Sequence, residues 1–173
     1  MNTISSTDGS TITATEDDVK FIISKLSGIP ITQLNDDNKQ KLKNLYQNLT
    51  NVVIGQNEAV DVICKAVKRH QIGLSNPNKP CVSLMVGSTG VGKTFLAKRL
   101  AFELFGNENE LVRLDMSEYS EKTSVTKLYG ASSGYIGYDE GGILTESIKK
   151  KPYCVLLLDE IEKAHSDVFN VFL

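Results

Sequence analysis

Neither charge sign dominates this chain. Its 173 residues carry 19 Lys and Arg against 21 Asp and Glu, a formal net charge of −2. That balance argues against nucleic acid or an anionic membrane as the main partner. No apolar run approaches the roughly 20 residues that a membrane helix needs. The opening residues, MNTISSTDGSTITAT, lack a basic start followed by an apolar core. They do not read as a secretory signal, and a cytoplasmic location is expected. Cysteine is scarce: Cys64, Cys81 and Cys154 lie far apart, with no CxxC pair. They read as buried thiols of a reducing compartment. His70 and His165 lack metal-ligand spacing and read as structural. Asp115, Glu118 and Glu121 form no defined acid–base pair, although Asp115 ends a predicted strand.

What is present is a globular composition, 40% hydrophobic, and a length that suits about one domain. Residues 1–13 are polar, Ser/Thr-rich and non-periodic, and read as a disordered tail. Residues 14–80 read as helical. Thr15 is a plausible N-cap with Asp18 three residues on. Val19, Ile22, Ile23 and Leu26 then give one apolar helix face, ended by Gly28 and Pro30. A second helix, over about 36–49, carries Leu42, Leu45, Tyr46 and Leu49. After the turn NVVIG, a third carries Ala59, Val60, Ile63, Ala66 and Val67. The loop SNPNKP follows.

From residue 81 the pattern changes. CVSLMV (81–86) reads as a buried parallel strand, followed by a helix over about 92–105. LVRLDM (111–116) is a second predicted strand and YCVLLLDE (153–160) a third. Helical turns are expected at 124–128, 143–150 and from Ser166, and GYIGYDEGG (134–142) as a loop. Strands alternating with helices imply a parallel sheet in an α/β architecture, here over 81–173.

Two motifs carry chemistry. GSTGVGKT, residues 87–94, fits G-x-x-x-x-G-K-[ST] between a predicted strand and a predicted helix, the context a phosphate-binding P-loop requires. Gly87, Gly90 and Gly92 let the backbone turn tightly and point N–H groups at phosphate oxygens. The helix that follows adds its positive end. Lys93 would face the β- and γ-phosphates and Thr94 would ligate Mg²⁺. VLLLDE is the second motif. Asp159 emerges at the carboxyl end of its strand, where ligands of open α/β sheets bind. It would hold the Mg²⁺ shell, with Glu160 placed to orient the attacking water. ATP and Mg²⁺ are the expected cofactors. Tyr135 and Tyr138 lie among glycines, and the spacing leaves two readings open: gripping a peptide, or tucking into the local core.

From about Thr15 onward the chain resembles the second AAA+ module of the Clp-type protein unfoldases, the ClpA, ClpB, ClpC and ClpE group. SGIP, VVIGQNEAV, GLSNPNKP, GSTGVGKT, DMSEY, KLYGASSGYIGYDEGG and LLLDEIEKAHSDVFN carry the resemblance. A generic P-loop protein would share only the two nucleotide motifs. The resemblance implies a three-layer α/β/α P-loop NTPase fold preceded by helices. It implies an ATPase whose turnover drives unfolding or disaggregation of protein substrates, or their delivery to a peptidase. It implies a hexameric ring. By the same resemblance Val53 and Ile54 would contact adenine, and Gly87, Ser88, Thr89, Gly90, Val91, Gly92, Lys93 and Thr94 would hold phosphates and metal. Lys93, Asp159 and Glu160 would be catalytic. Tyr135, with Ile136, Gly137 and Tyr138, would form the pore loop that pulls on the substrate chain.

The chain departs from that pattern at Leu26 and Ser27, where the family has Trp-Thr, and at Ser132 and Ser133, where it often has two prolines. The pore loop would be less stiff for it. After Leu173 the family continues with a sensor strand, an arginine finger, a second sensor and a helical subdomain. In the family's strand order, 5-1-4-3-2, the fourth strand separates the first from the third, so a gap with unpaired edges is expected here. A fragment, with weak turnover in isolation, is the resulting expectation. A second reading is a non-enzymatic module that docks on full-length unfoldase subunits and regulates them. A third, a P-loop kinase or GTPase, fits poorly: the chain has no N/T-K-x-D guanine motif and does have GYIGYDEGG.

Overall fold

The computed structural model describes residues 3–5, 11–27, 38–76, 79–130 and 141–172. The stretch read as a disordered tail carries two short strands, β1 (Thr3–Ser5) and β2 (Thr11–Thr13), paired antiparallel with Ile4 opposite Ile12. Threonine and isoleucine are β-branched and favour a pleated backbone, which outweighs the polarity of the segment.

Helix α1 (Glu16–Ser27) begins where the sequence predicts it. The Asp18 N–H donates to Thr15 Oγ1 at 3.3 Å, and the Thr15 N–H donates to Asp18 Oδ2 at 2.9 Å, a reciprocal cap. Its apolar residues Val19, Ile22, Ile23 and Leu26 stay exposed. Helix α2 (Asn38–Val52) and helix α3 (Asn57–Gln71) form a pair closed by a turn at Gly55. Helix α4 (Lys93–Phe105) packs against both. Leu45, Leu49, Val53, Val60, Ile63, Cys64 and Val67 meet Leu96 in one buried cluster, with Leu100 and Leu104 at its margin. The boundary drawn at residue 80 therefore does not separate two cores. Asn48 Nδ2 also donates to Glu103 Oε2 at 2.8 Å, tying α2 to α4.

The sheet comprises β3 (Leu111–Asp115) and β4 (Val155–Asp159), parallel and in register from Leu111 opposite Val155 to Asp115 opposite Asp159. Between them come helix α5 (Lys122–Tyr129) and helix α6 (Ile143–Lys150); helix α7 (Ser166–Phe172) follows β4. Alternation along the strands sorts the two faces. Leu114, Leu156 and Leu158 join Met116, Tyr119, Val125, Leu128 and Val168 in a second cluster, on the α5–α7 side. Arg113, Leu157 and Asp159 share the opposite face, where the first turn of α4 lies. The sheet thus sits between two helical layers.

Of the three expected strands, the one at 81–86 is not formed. Residues 81–88 adopt no regular structure and pair with nothing among the described residues. Val82, Leu84 and Val86 are 80%, 77% and 89% exposed, and only Met85 touches the first cluster. A strand needs a neighbour to accept its backbone hydrogen bonds. β3 and β4 pair with each other and leave this segment unpartnered.

The cysteines also differ from expectation. Cys64 is buried and Cys154 half-buried, but Cys81 is exposed on the unpaired segment. Burial pushes the Cys64 and Cys154 thiols above their ordinary range, which suits inert packing.

Candidate functional site

The P-loop connects the unpaired segment to α4. Gly90 and Gly92 have φ of +83° and +96°. A Cβ at either would meet nothing within 4 Å, so backbone conformation, not space, is what demands glycine here. Gly92 is the N-cap of α4, and Lys93 and Thr94 form its first turn. The orphan N–H groups of that turn, with the helix dipole behind them, are suited to an anion.

Lys93 is folded back on its own loop. Its Nζ donates to the Gly87 carbonyl at 2.7 Å and to the Ser88 carbonyl at 2.8 Å. Thr89 and Val91 lie in the exposed turn between. The Gln56 amide donates to the Val91 carbonyl at 3.2 Å, pinning the P-loop to the start of α3. Sequence reading assigned Gln56 no role. Its neighbours divide: Val53 is buried in the first cluster, while Ile54 is 80% exposed. Of the expected adenine pair, only Ile54 has a free surface to offer.

Asp159, at the end of β4, is brought to the P-loop. Thr94 Oγ1 donates to Asp159 Oδ2 at 3.3 Å, between residues 65 apart in sequence. Arg113, reaching from β3, donates to the same oxygen through Nε at 3.1 Å, and its Nη2 lies 2.9 Å from that oxygen in an ion pair. The sequence singled out LVRLDM as a strand but not its arginine. A charged residue on the face shared with Asp159 was the available signal.

One carboxylate and one hydroxyl, both hard oxygen donors, suit Mg²⁺. That ion is typically held by one or two carboxylates together with substrate phosphates and water. Among the described residues no group of three His, Cys, Asp or Glu could hold a metal alone. A cation here would therefore complete its shell with phosphate oxygens.

Glu160 follows with φ 53° and ψ 44°, the one left-handed non-glycine residue among those described. Such a conformation costs about 1–3 kcal/mol and clusters at functional sites. Its side chain is exposed and ion-paired with Lys163, whose ammonium pKa is raised by that hydrogen bond.

Asp115 is opposite Asp159 in the register but serves locally. Ser117 donates to its Oδ1 through the hydroxyl at 2.6 Å and the N–H at 3.0 Å, holding the carboxyl below its ordinary pKa. The two histidines, read from the sequence as structural, both contact backbone. His70 Nε2 lies 3.0 Å from the Lys79 carbonyl, and His165 Nδ1 accepts the Asp167 N–H at 3.1 Å.

Tyr135, Ile136, Gly137 and Tyr138 lie outside the described residues. The segment's two ends are nonetheless close. A Cβ on Gly130 would sit 3.2 Å from the Gly142 nitrogen, and one on Gly142 would sit 2.3 Å from the Tyr129 carbonyl carbon. The end of α5 and the start of α6 meet at a point only glycine fits.

Comparison with known proteins gives the chain a family. Residues 79–173, more than half of the chain, match a family described as AAA domain (Cdc48 subfamily). The chain is 54% identical over 160 residues to the chaperone protein ClpB of Gloeobacter violaceus, covering 92% of this chain and 18% of that protein. It is 56% identical over 159 residues to ClpB 2 of a Synechocystis species, covering 91% and 18%. The chain thus spans about a fifth of the length of these relatives. Among solved structures it resembles a closed-state cryo-EM reconstruction of Hsp104 with ATPγS and FITC-casein, at TM-score 0.76 and 44% identity, over 90% of this chain and 27% of that one. An S. cerevisiae Hsp104–ADP complex gives the same TM-score and identity, over 90% and 22%.

Proposed function

The chain belongs to the AAA family, Cdc48 subfamily, in its Clp-type branch, and on that premise we propose that it is the ATP·Mg²⁺-binding part of a protein-remodelling ATPase. The observation that carries the reading is the 3.3 Å contact between Thr94 and Asp159. It joins the P-loop to the acidic strand end at the one place where a metal-bound phosphate needs both.

In this reading Gly87, Ser88, Thr89, Gly90, Val91 and Gly92 cradle the phosphates with backbone N–H groups. Lys93 leaves its carbonyl partners for the β- and γ-phosphates. Ile54 lies at the base, with Val53 behind it in the core. Thr94 and Asp159 would hold Mg²⁺, which when bound neutralises phosphate charge. Glu160 orients the attacking water and accepts its proton once released from Lys163. Lys93, Asp159 and Glu160 are thereby the catalytic set. With Lys93 and Glu160 both paired internally, the isolated chain should turn over slowly. Tyr135, Ile136, Gly137 and Tyr138, which lie in sequence between Gly130 and Gly142, are assigned to contact with substrate polypeptide.

The whole protein would be a cytoplasmic, ring-forming machine that unfolds or disaggregates proteins. The relatives support this: ClpB is a chaperone protein, and one Hsp104 structure contains casein. A peptidase partner is a further option for the same machine. The test is equilibrium binding of a fluorescent ATP analogue with Mg²⁺. Saturable binding by the wild-type chain and its loss in Lys93→Ala are expected; equal binding by both would contradict the reading.

A second reading, docking onto full-length unfoldase subunits without catalysis of its own, draws on one observation: Val82, Leu84 and Val86 are exposed on a segment that lacks a strand partner. Edges of this kind recruit other strands. Mixing the chain with an intact Clp-type unfoldase tests it. Co-assembly or inhibition supports docking, and unaltered ATPase rates count against it.

A further inference from the structure

Arg113 stands out because the proposed reaction gives it no role, yet it is bound to Asp159, the carboxylate assigned to the metal. Its hydrogen bond and its ion-pair contact with Asp159 both fall on Oδ2, the oxygen that also accepts the Thr94 hydroxyl. Two hydrogen bonds and an ion-pair contact therefore converge on one carboxylate oxygen. The register explains the reach: Arg113 pairs with Leu157 in the ladder, so its side chain extends diagonally past Leu157 to the strand end on the same face.

The ion pair is a poor candidate for a stability device. Arg113 is 53% exposed while Asp159 is only 17% exposed, and ion pairs open to water contribute little. Its effect falls instead on the carboxylate. A guanidinium stays charged at any working pH and offers fixed donors. It places a permanent positive charge at the oxygen a divalent cation would take.

We propose that Arg113 is a positioning residue for Asp159: it holds the carboxylate against Thr94 before the metal arrives, and gives up Oδ2 to Mg²⁺ when nucleotide binds. The proposal rests on the ATP·Mg²⁺ reading of this site. Its consequence is competition. Metal entry has to displace Arg113 from Oδ2 and tolerate its charge nearby, so the apparent Mg²⁺ affinity of the nucleotide-bound chain is set partly by this residue. Metal-free nucleotide binding, which does not use Asp159 as a metal ligand, is not.

The experiment titrates Mg²⁺ into the chain with a fluorescent ATP analogue, alongside analogue binding in EDTA. Wild type, Arg113→Met, Arg113→Lys and Arg113→Met combined with Asp159→Asn are compared. The expected result is a Mg²⁺ midpoint roughly threefold to tenfold lower in Arg113→Met, the scale of a charge interaction at partial exposure. The EDTA affinity should stay put and Arg113→Lys should return the midpoint toward wild type. In the Asp159→Asn background the Arg113 substitution should have no effect on the midpoint. A purely structural role would weaken binding with and without metal alike, and that outcome overturns the proposal, as does an unmoved or raised midpoint in Arg113→Met. Should Arg113→Met not fold, Arg113→Gln, neutral and polar, takes its place, and an unmoved or raised midpoint there overturns the proposal instead. No analogue binding by the wild-type chain would defeat the site reading itself and the proposal with it, a result distinct from the others.

Discussion

Thr94 Oγ1 donates to Asp159 Oδ2 at 3.3 Å. One residue opens a helix and the other closes a strand. Their meeting turns two separate sequence signals into one site with the chemistry of a metal-bound phosphate. Neither side chain needs unusual surroundings to reach the other. α4 lies across the Leu157 face of the sheet, and its N-terminus falls beside the strand end.

Asp159→Asn should remove most of the Mg²⁺-dependent gain in nucleotide affinity while leaving metal-free binding intact. A tenfold loss corresponds to about 1.4 kcal/mol, and at least that is expected. Calorimetric titration with and without Mg²⁺ measures it. Unchanged Mg²⁺ dependence would mean that this carboxylate is not near the metal.

Gly92→Ala tests the left-handed turn. With φ at +96° and open space around the missing Cβ, the cost should be conformational alone, about 1–2 kcal/mol. Urea denaturation should report that loss, and nucleotide affinity should fall with it. A neutral substitution would mean that the loop readily adopts another conformation.

Core and unpaired segment should respond oppositely. Leu49 is fully buried and Val86 is 89% exposed. Leu49→Ala should cost about 2–5 kcal/mol, and Val86→Ala should stay within about 0.5 kcal/mol. Denaturant midpoints distinguish them. A large loss at Val86 would mean that the segment is packed in solution.

Acid should act partly through Asp115. Its carboxyl is held below the ordinary value of 3.8, first by the Ser117 hydroxyl and then by the Ser117 N–H. A depressed folded-state pKa contributes stability that is present above the unfolded value and lost as pH falls through the folded one. Asp115→Asn should therefore be less stable than wild type at neutral pH, with the gap closing below about pH 4. Thermal melts across pH 2.5–7 measure it, and a gap that does not narrow as pH falls through that range would assign the effect to something other than ionisation.

The helices were readable because their signals are local. Thr15 and Asp18 cap α1 within one turn, and Leu45 and Leu49 of α2 are one helical turn apart. The P-loop and the acidic pair were readable as motifs. What escaped was non-local or contrary to composition. CVSLMV has the makeup of a strand, but pairing needs a partner that apolarity alone cannot supply. Arg113 acts on a residue 46 positions away, and Gln56 on one 35 away; no periodicity links them. Lys163, three residues after Glu160, was within reach of the helix-spacing rule and was the one missed partner that local reading could have found. The β1–β2 pairing was hidden by a polar composition that resembles a disordered tail.

The most direct test of the central claim is amide hydrogen exchange on the chain with and without ATPγS and Mg²⁺, read over the P-loop. The account predicts slowed exchange at residues 87–94 and at the end of β4, with the protection reduced when EDTA replaces Mg²⁺. Nucleotide binding that leaves those amides unprotected and protects another region instead would contradict it.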